Sequence, residues 1–185
     1  TPLALAAVGE SLNEQAGTTN VGMEGIFLIT AILSVYWAEI FESGVYGLMF
    51  GAITGAIIGL LFGLVCVYGK ANQVIAGMGL NIFALGFGPY LLMSIWAFPG
   101  IHVFRNELMV QPLRFNVAGE YFGISAVTIV AIALAMLAYL LLKRTLLGIR
   151  IRAAGENPIA VDVAGVSVGH IRLLMCVLGG ALAGL

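Results

Sequence analysis

The side chains able to carry chemistry are few, and half of the cationic ones stand together. Lys143, Arg144, Arg150 and Arg152 are four of the eight basic residues of the chain and fall inside one polar stretch, 143–170. The same stretch holds Glu156, Asn157, Pro158, Ala160 and Asp162, followed by Gly165. Cations at this density suit a lipid surface or the carboxylates of a docking partner. Catalytic arrangements are missing: there is no nucleophile elbow, HExxH or CxxC motif. The stretch 63–70 ends in Gly-Lys, but its glycines stand one residue too far apart for a phosphate loop. Ala71 occupies the place where Ser or Thr would hold magnesium. Neither an enzyme nor a metal site is expected.

Composition decides the medium in which these residues sit. Hydrophobic residues make up 61% of the chain and charged residues 9%, with a mean hydropathy of +1.08. Soluble domains carry about 25% charged residues, so most of this chain's surface belongs in lipid. A net charge of −1 lacks the basic excess of a nucleic-acid binder. Cys66 and Cys176 lie in apolar runs, where small buried or lipid-facing thiols are expected.

Four apolar runs are long enough to cross a bilayer: 26–41, 46–68, 73–98 and 122–142. None alternates with period two, so helices are expected, since helices satisfy their backbone polar groups internally. Stretch 1–9 is too short to span, and 171–185 is a further apolar run. Both ends read as spans cut by the limits of a fragment. The expectation is an all-α polytopic transmembrane helix bundle, one domain over 1–185 and incomplete at both ends. Basic residues orient it. With 143–170 in the cytoplasm, Lys70 and Arg172 fall on the same side, and only Arg105 and Arg114 lie outside. His102 and His170 then face opposite sides and share no metal. Stretch 99–121 becomes an external loop, a solvated connector or a contact surface for an external partner.

Within the spans two patterns stand out. Gly47, Gly51, Gly55, Gly59 and Gly63 recur every four residues on nearly one helix face. Such a row lets another helix backbone approach closely, within the chain or from a second chain. Gln73, Gly77 and Asn81 share a face of the third span, with Asn72 just before it, and Pro89 is expected to bend that helix. Amides at depth serve an interhelical hydrogen bond or the wall of a polar path. Glu39 and Glu42 read as solvated carboxylates at the outer interface, amid the aromatic belt of Tyr36, Trp37 and Tyr46.

The polar stretch itself writes a short helix. Asn157 is a good N-cap, Pro158 suits the first helical position, and Gly165 suits the left-handed residue that ends a helix. Ile159, Val163 and Val166 fall near one face and Asp162 elsewhere. An apolar stripe outside the membrane fits a partner's groove, the bilayer surface or the protein's own bundle.

Three segments together resemble a known family. Thr145, Gly148, Arg150, Arg152, Ala153, Gly155, Glu156, Asn157, Pro158, Ala160, Asp162, Ala164 and Gly165, at their spacing, look like the cytoplasmic loop of ABC importer permeases of the branched-chain amino acid, ribose and nucleoside group. Glu14, Gly17, Asn20, Gly22, Glu24 and Gly25 resemble a signature of the nucleoside and simple-sugar permeases, with Gln15 where Arg is common. Asn72, Gln73, Gly77, Leu80 and Asn81 also have counterparts there. The resemblance implies two permease subunits, identical or not, in a bacterial or archaeal cell membrane. It implies two cytoplasmic ATPases that use the ATP, no cofactor bound by this chain, and an extracytoplasmic substrate-binding protein. The helix after Asn157 would be the coupling helix seated in the ATPase, with Arg150 and Arg152 anchoring it. Segment 17–25 is either a broken helix beside the substrate path, with Asn20 and Glu24 as polar contacts, or a cytoplasmic turn between two spans. An ion-coupled transporter and a non-transporting membrane assembly protein are the competing functions.

Overall fold

The computed structural model describes residues 1–97, 112–117 and 120–185, with side chains for 1–97 and 125–185. Eight helices appear among them: α1 (Pro2–Gln15), α2 (Met23–Ile40), α3 (Gly44–Gly63), α4 (Gln73–Trp96), α5 (Ala126–Arg144), α6 (Leu146–Glu156), α7 (Pro158–Val163) and α8 (Val168–Ala183). Four are long and apolar enough to cross a membrane: α2, α4, α5 and α3 with the turn that follows it. The architecture is the expected polytopic helix bundle. Its spans begin and end a few residues from the expected limits. Residues 122–125 join no helix; they form the second strand of a hairpin.

That hairpin, Pro112–Val117 against Glu120–Ser125, is antiparallel with Phe115 opposite Phe122. It replaces part of the connector expected over 99–121. Pro112 opens the first strand, a position where proline is tolerated. His102 and Arg105 lie outside the described residues, as does the side chain of Arg114.

Close packing follows the glycines. All five of the row on α3 are buried, and four of them face α8 or its C-terminal cap. A methyl group added at Gly51, Gly55 or Gly59 would strike the carbonyl oxygens of Gly184, Gly180 and Cys176 respectively. Gly63 continues the row onto Leu173 and Cys176, and Gly47 turns it onto Ser34 and Ala38 of α2. The glycine seam therefore lies within one chain. On its other side α8 meets α1, where a methyl group on Gly9 would stand 2.7 Å from the carbonyl oxygen of Gly179. In lipid, apolar side chains gain little from mutual burial, so backbone proximity and dispersion hold α1, α8 and α3 together.

After α3 the helix widens into one π-helical turn, Leu64–Tyr68. The turn brings Cys66 into a buried cluster with Phe62 and Cys176, so both cysteines are buried and neither faces lipid. Lys70, with φ +52, then reverses the chain. Asn72 caps α4 through its Oδ1, which accepts from the N–H groups of Val74 at 3.0 Å and Ile75 at 3.4 Å. α4 runs on through Pro89 as one helix.

The polar residues sort to the two ends of the bundle. The end of α1, the start of α2 and of α4, the end of α5, all of α6 and α7, and the start of α8 share one end. Leu5, Val45, Val127 and Leu185 line a common cavity at the other. Glu39 and the aromatic residues belong to that second end. Glu39 is half-buried and not simply solvated: Trp96 donates its Nε1–H to Glu39 Oε2 at 2.8 Å. Trp37 stacks on Phe50 with centroids 4.5 Å apart, and Tyr36 meets Trp96 edge to face.

Candidate functional site

The site grows from the connection between α1 and α2. Gly17, with φ +78, takes the left-handed conformation that ends α1. The residues up to Gly22 form no regular structure, so their backbone groups depend on side chains from elsewhere. Thr18 closes the helix end, its N–H and its hydroxyl both donating to the Asn13 carbonyl, at 3.0 and 3.2 Å. Asn20 folds over its own chain, and its Oδ1 accepts the N–H of Gly22 at 3.0 Å.

Three neighbouring helices grip this linker. From α1, Glu10 accepts the N–H of Asn20 at 2.7 Å and a bond from Asn13 Nδ2 at 3.3 Å. From α4, Gln73 Oε1 accepts the N–H of Thr19 at 2.8 Å, and its Nε2 donates to the Gly17 carbonyl at 3.5 Å. Two turns farther along α4, Asn81 accepts the N–H of Gly25 at 2.8 Å and donates to the Val21 carbonyl at 3.0 Å. Gly77 lies between the two amides, and a methyl group there would stand 2.7 Å from the Gly22 nitrogen. From α8, Arg172 donates through Nε to the Ala16 carbonyl at 3.1 Å.

The connection is therefore a turn at the end of the bundle that also holds α6 and α7. It is not confined to that surface: Gln73 opens α4, and Asn81 lies about 12 Å deeper at helical rise. Segment 19–25 climbs alongside that stretch.

The second part of the site is the stretch 143–170. It folds into two helices where one was expected. In α6, Thr145 caps the first turn, its hydroxyl oxygen accepting the N–H of Gly148 at 3.1 Å. α7 follows directly. Asn157 Oδ1 accepts the N–H of Ala160 at 3.1 Å, and Gly165 has φ +79. Val161 is buried against Ala154 and Val168, fastening α7 to α6 and to the start of α8. Ile159 and Val163 are 76% and 85% exposed. Val166 does not join them; it packs onto the Ala154–Val161–Val168 cluster. Arg150, Arg152, Glu156, Ala160 and Asp162 are exposed, and Arg152 Nε reaches only the Gly148 carbonyl at 3.5 Å.

The polar residues expected along a path divide into two kinds. Asn20, Gln73 and Asn81 meet at the linker and spend hydrogen bonds on its backbone. Glu24 stands apart, exposed in the first turn of α2. Sequence reasoning passed over Glu10, Asn13, Thr18 and Arg172. Glu10 and Asn13 sit three apart on one face of α1, and Arg172 is a lone cation opening an apolar helix. Those were the available signals. Asn13 is fully buried, and its Oδ1 has no hydrogen-bond partner. A methyl group on Gly179 would stand 2.6 Å from Asn13 Nδ2 and 3.0 Å from its Oδ1, so the missing side chain makes the room for this amide.

Comparison with known proteins adds an independent finding. A family model described as the permease component of branched-chain amino acid transport systems matches residues 1–185. A nucleoside ABC transporter permease protein of Lactococcus lactis is 33% identical over all of this chain and 62% of its own length. A putative glucose ABC transporter permease protein of Haloferax volcanii is 31% identical over all of this chain and 57% of its own. A guanosine ABC transporter permease protein of Bacillus subtilis is 29% identical over all of this chain and 61% of its own. The chain thus spans less than two thirds of the length of these curated relatives. No solved structure matches it.

Proposed function

Since this chain belongs to the branched-chain amino acid transport system permease family, we propose that it forms the membrane path of an ATP-driven importer for nucleosides or a related small polar solute. It acts as a multi-pass protein of the cell membrane, beside a second permease subunit. A separate ATPase docks on α7, and an extracytoplasmic binding protein delivers the solute at the opposite end. The chain binds no cofactor; ATP is used by the partner.

One observation carries this reading. α7 is capped at both ends and bolted down through Val161, yet it turns Ile159 and Val163 outward at the charged end of the bundle. A short helix held rigidly with an apolar face uncovered suits a partner's groove better than an idle loop. The six basic residues at that end, Lys70, Lys143, Arg144, Arg150, Arg152 and Arg172, support a cytoplasmic location. Lys143 sits over the Tyr139 ring, 5.1 Å from its centroid, as interfacial anchors do. The likeness to nucleoside and glucose permeases supports a small polar solute.

Asn20, Glu24, Gln73 and Asn81 border the path at its inner end. The three amides shape its wall by fixing the linker, and the exposed Glu24 carboxylate is the group available to a solute. Ion coupling is a weaker reading, because the Glu10 and Glu39 carboxylates already accept hydrogen bonds within the bundle.

The test is co-purification of the ATPase with an Ile159→Asp, Val163→Asp double variant. Loss of the ATPase with unchanged thermal stability of the permease supports the reading. Undiminished ATPase binding removes it.

A further inference from the structure

We infer that Arg172 is the joint through which movement of the α6–α7 loop reaches α4, with the linker 16–22 as the moving piece; this rests on the importer reading above. The joint is built from backbone contacts. Arg172 forks between two helix ends: Nε donates to the Ala16 carbonyl at 3.1 Å, and Nη2 donates to the Ala154 carbonyl at 3.3 Å. Ala16 ends α1 and Ala154 lies in the last turn of α6. Carbonyls at such positions lack an intrahelical donor and carry the negative end of the helix dipole. A planar guanidinium satisfies both at once and fixes their relative angle.

The surroundings bring the two ends into direct backbone contact. Gly17 and Gly155 meet without side chains. A methyl group on Gly17 would stand 2.9 Å from Arg172 Nη2 and 3.0 Å from the Gly155 Cα. A methyl group on Gly155 would press on the Gln15 carbonyl. On the loop side, Ala154 also packs against Val161 of α7. A pull on α7 therefore moves Ala154, and through Arg172 it moves Ala16 and Gly17.

From there the connection passes into α4. Gln73 holds the N–H of Thr19 and the carbonyl of Gly17, and Asn81 holds Val21 and Gly25. Three of these bonds are made to the linker backbone and the fourth to the first turn of α2, so displacement of the linker is passed to α4. α4 is less enclosed by the chain than α3: 17% of its spanning window is buried, against 33% for α3 in its glycine seam and 11% for α5. The bundle thus pairs a glycine-packed core of α1, α8 and α3 with an α4 that packs on α2 and is linked to the loop through one arginine and two amides. A contact chain of this kind becomes a coupling path only if breaking it separates two activities.

The experiment uses the full-length permease with its ATPase and binding protein in proteoliposomes, with radiolabelled guanosine and glucose as probes. Arg172→Gln removes the fork; Gly155→Ala keeps the arginine and pushes α6 off the linker. The expected result for both is ATP hydrolysis within about twofold of wild type, with uptake per ATP reduced about tenfold, inside the usual range of site-to-site coupling. Arg172→Lys, which keeps charge but not the fork, falls between. Uptake per ATP equal to wild type in both variants overturns the joint alone. So does a loss of uptake that only tracks the amount of folded complex, which marks Arg172 as structural. A wild-type protein that neither binds an ATPase nor imports either probe overturns the importer reading, and the joint with it.

Discussion

The side chain of Asn81 accepts the backbone N–H of Gly25 at 2.8 Å, across 56 residues of sequence. The same amide donates to the Val21 carbonyl, so one side chain in a lipid-spanning helix serves a backbone carbonyl of the linker and a free N–H in the first turn of α2. The fold needs this because unpaired backbone groups at depth are costly.

Replacing Asn81 by Leu leaves the Gly25 N–H and the Val21 carbonyl without side-chain partners. We expect a loss of about 1–3 kcal/mol, the cost of stranding buried polar groups, read as a lower melting temperature in detergent. An unchanged melting temperature for Asn81→Leu would mean that water already serves the linker.

Gly55 of α3 should respond in the opposite way to Gly79 and Gly86 of α4. Gly55→Val pushes a side chain into the Gly180 carbonyl, and overpacking of this kind costs about 1–3 kcal/mol. Gly79 and Gly86 on α4 have nothing within 4 Å of an added methyl group. Gly79→Ala and Gly86→Ala should be neutral or slightly stabilising, since alanine restricts the unfolded chain. Thermal unfolding of the three variants side by side checks the contrast.

Asn157→Ala removes the acceptor for the Ala160 N–H and should cost about 1 kcal/mol of local stability, the usual value of an N-cap. Asn157→Asp should restore it. Hydrogen exchange at Val161 and Asp162 is the direct measure: faster in Ala, close to wild type in Asp. Equal protection in all three variants would show that Val161 packing alone holds α7.

Sidedness follows from the two ends of the bundle. With Cys66 and Cys176 buried, a membrane-impermeant maleimide should ignore the native thiols in intact membranes. Ile159→Cys should label only in inside-out vesicles, and Glu42→Cys, exposed after α2, only in right-side-out vesicles. Reversed labelling would place α7 on the external side and remove the docking role.

Much of this architecture was legible in the residues. Spans appear as apolar runs because the bilayer asks for about 20 apolar residues. The caps of α7 could be read from Asn157, Pro158 and Gly165 because capping is a local matter of side-chain reach and left-handed backbone. The pairing of Pro112–Val117 with Glu120–Ser125 was not legible: it opens on a proline and shares part of its second strand with the expected start of α5. Glu39 looked solvated because its partner, Trp96, lies 57 residues away.

By itself the sequence determined the medium, the number of long spans, the capped helix and the existence of a glycine seam. All of these are set by composition or by contacts within a few residues. Only the tertiary structure decided what the seam faces: α8 lies opposite Gly51, Gly55 and Gly59, and no periodicity in α3 names its partner. It alone turned Gln73 and Asn81 from candidate path linings into clamps on the linker. It alone brought Arg172 between the ends of α1 and α6. Those pairings join residues 18 to 156 positions apart, and at that range chain order says nothing about which polar group will find which.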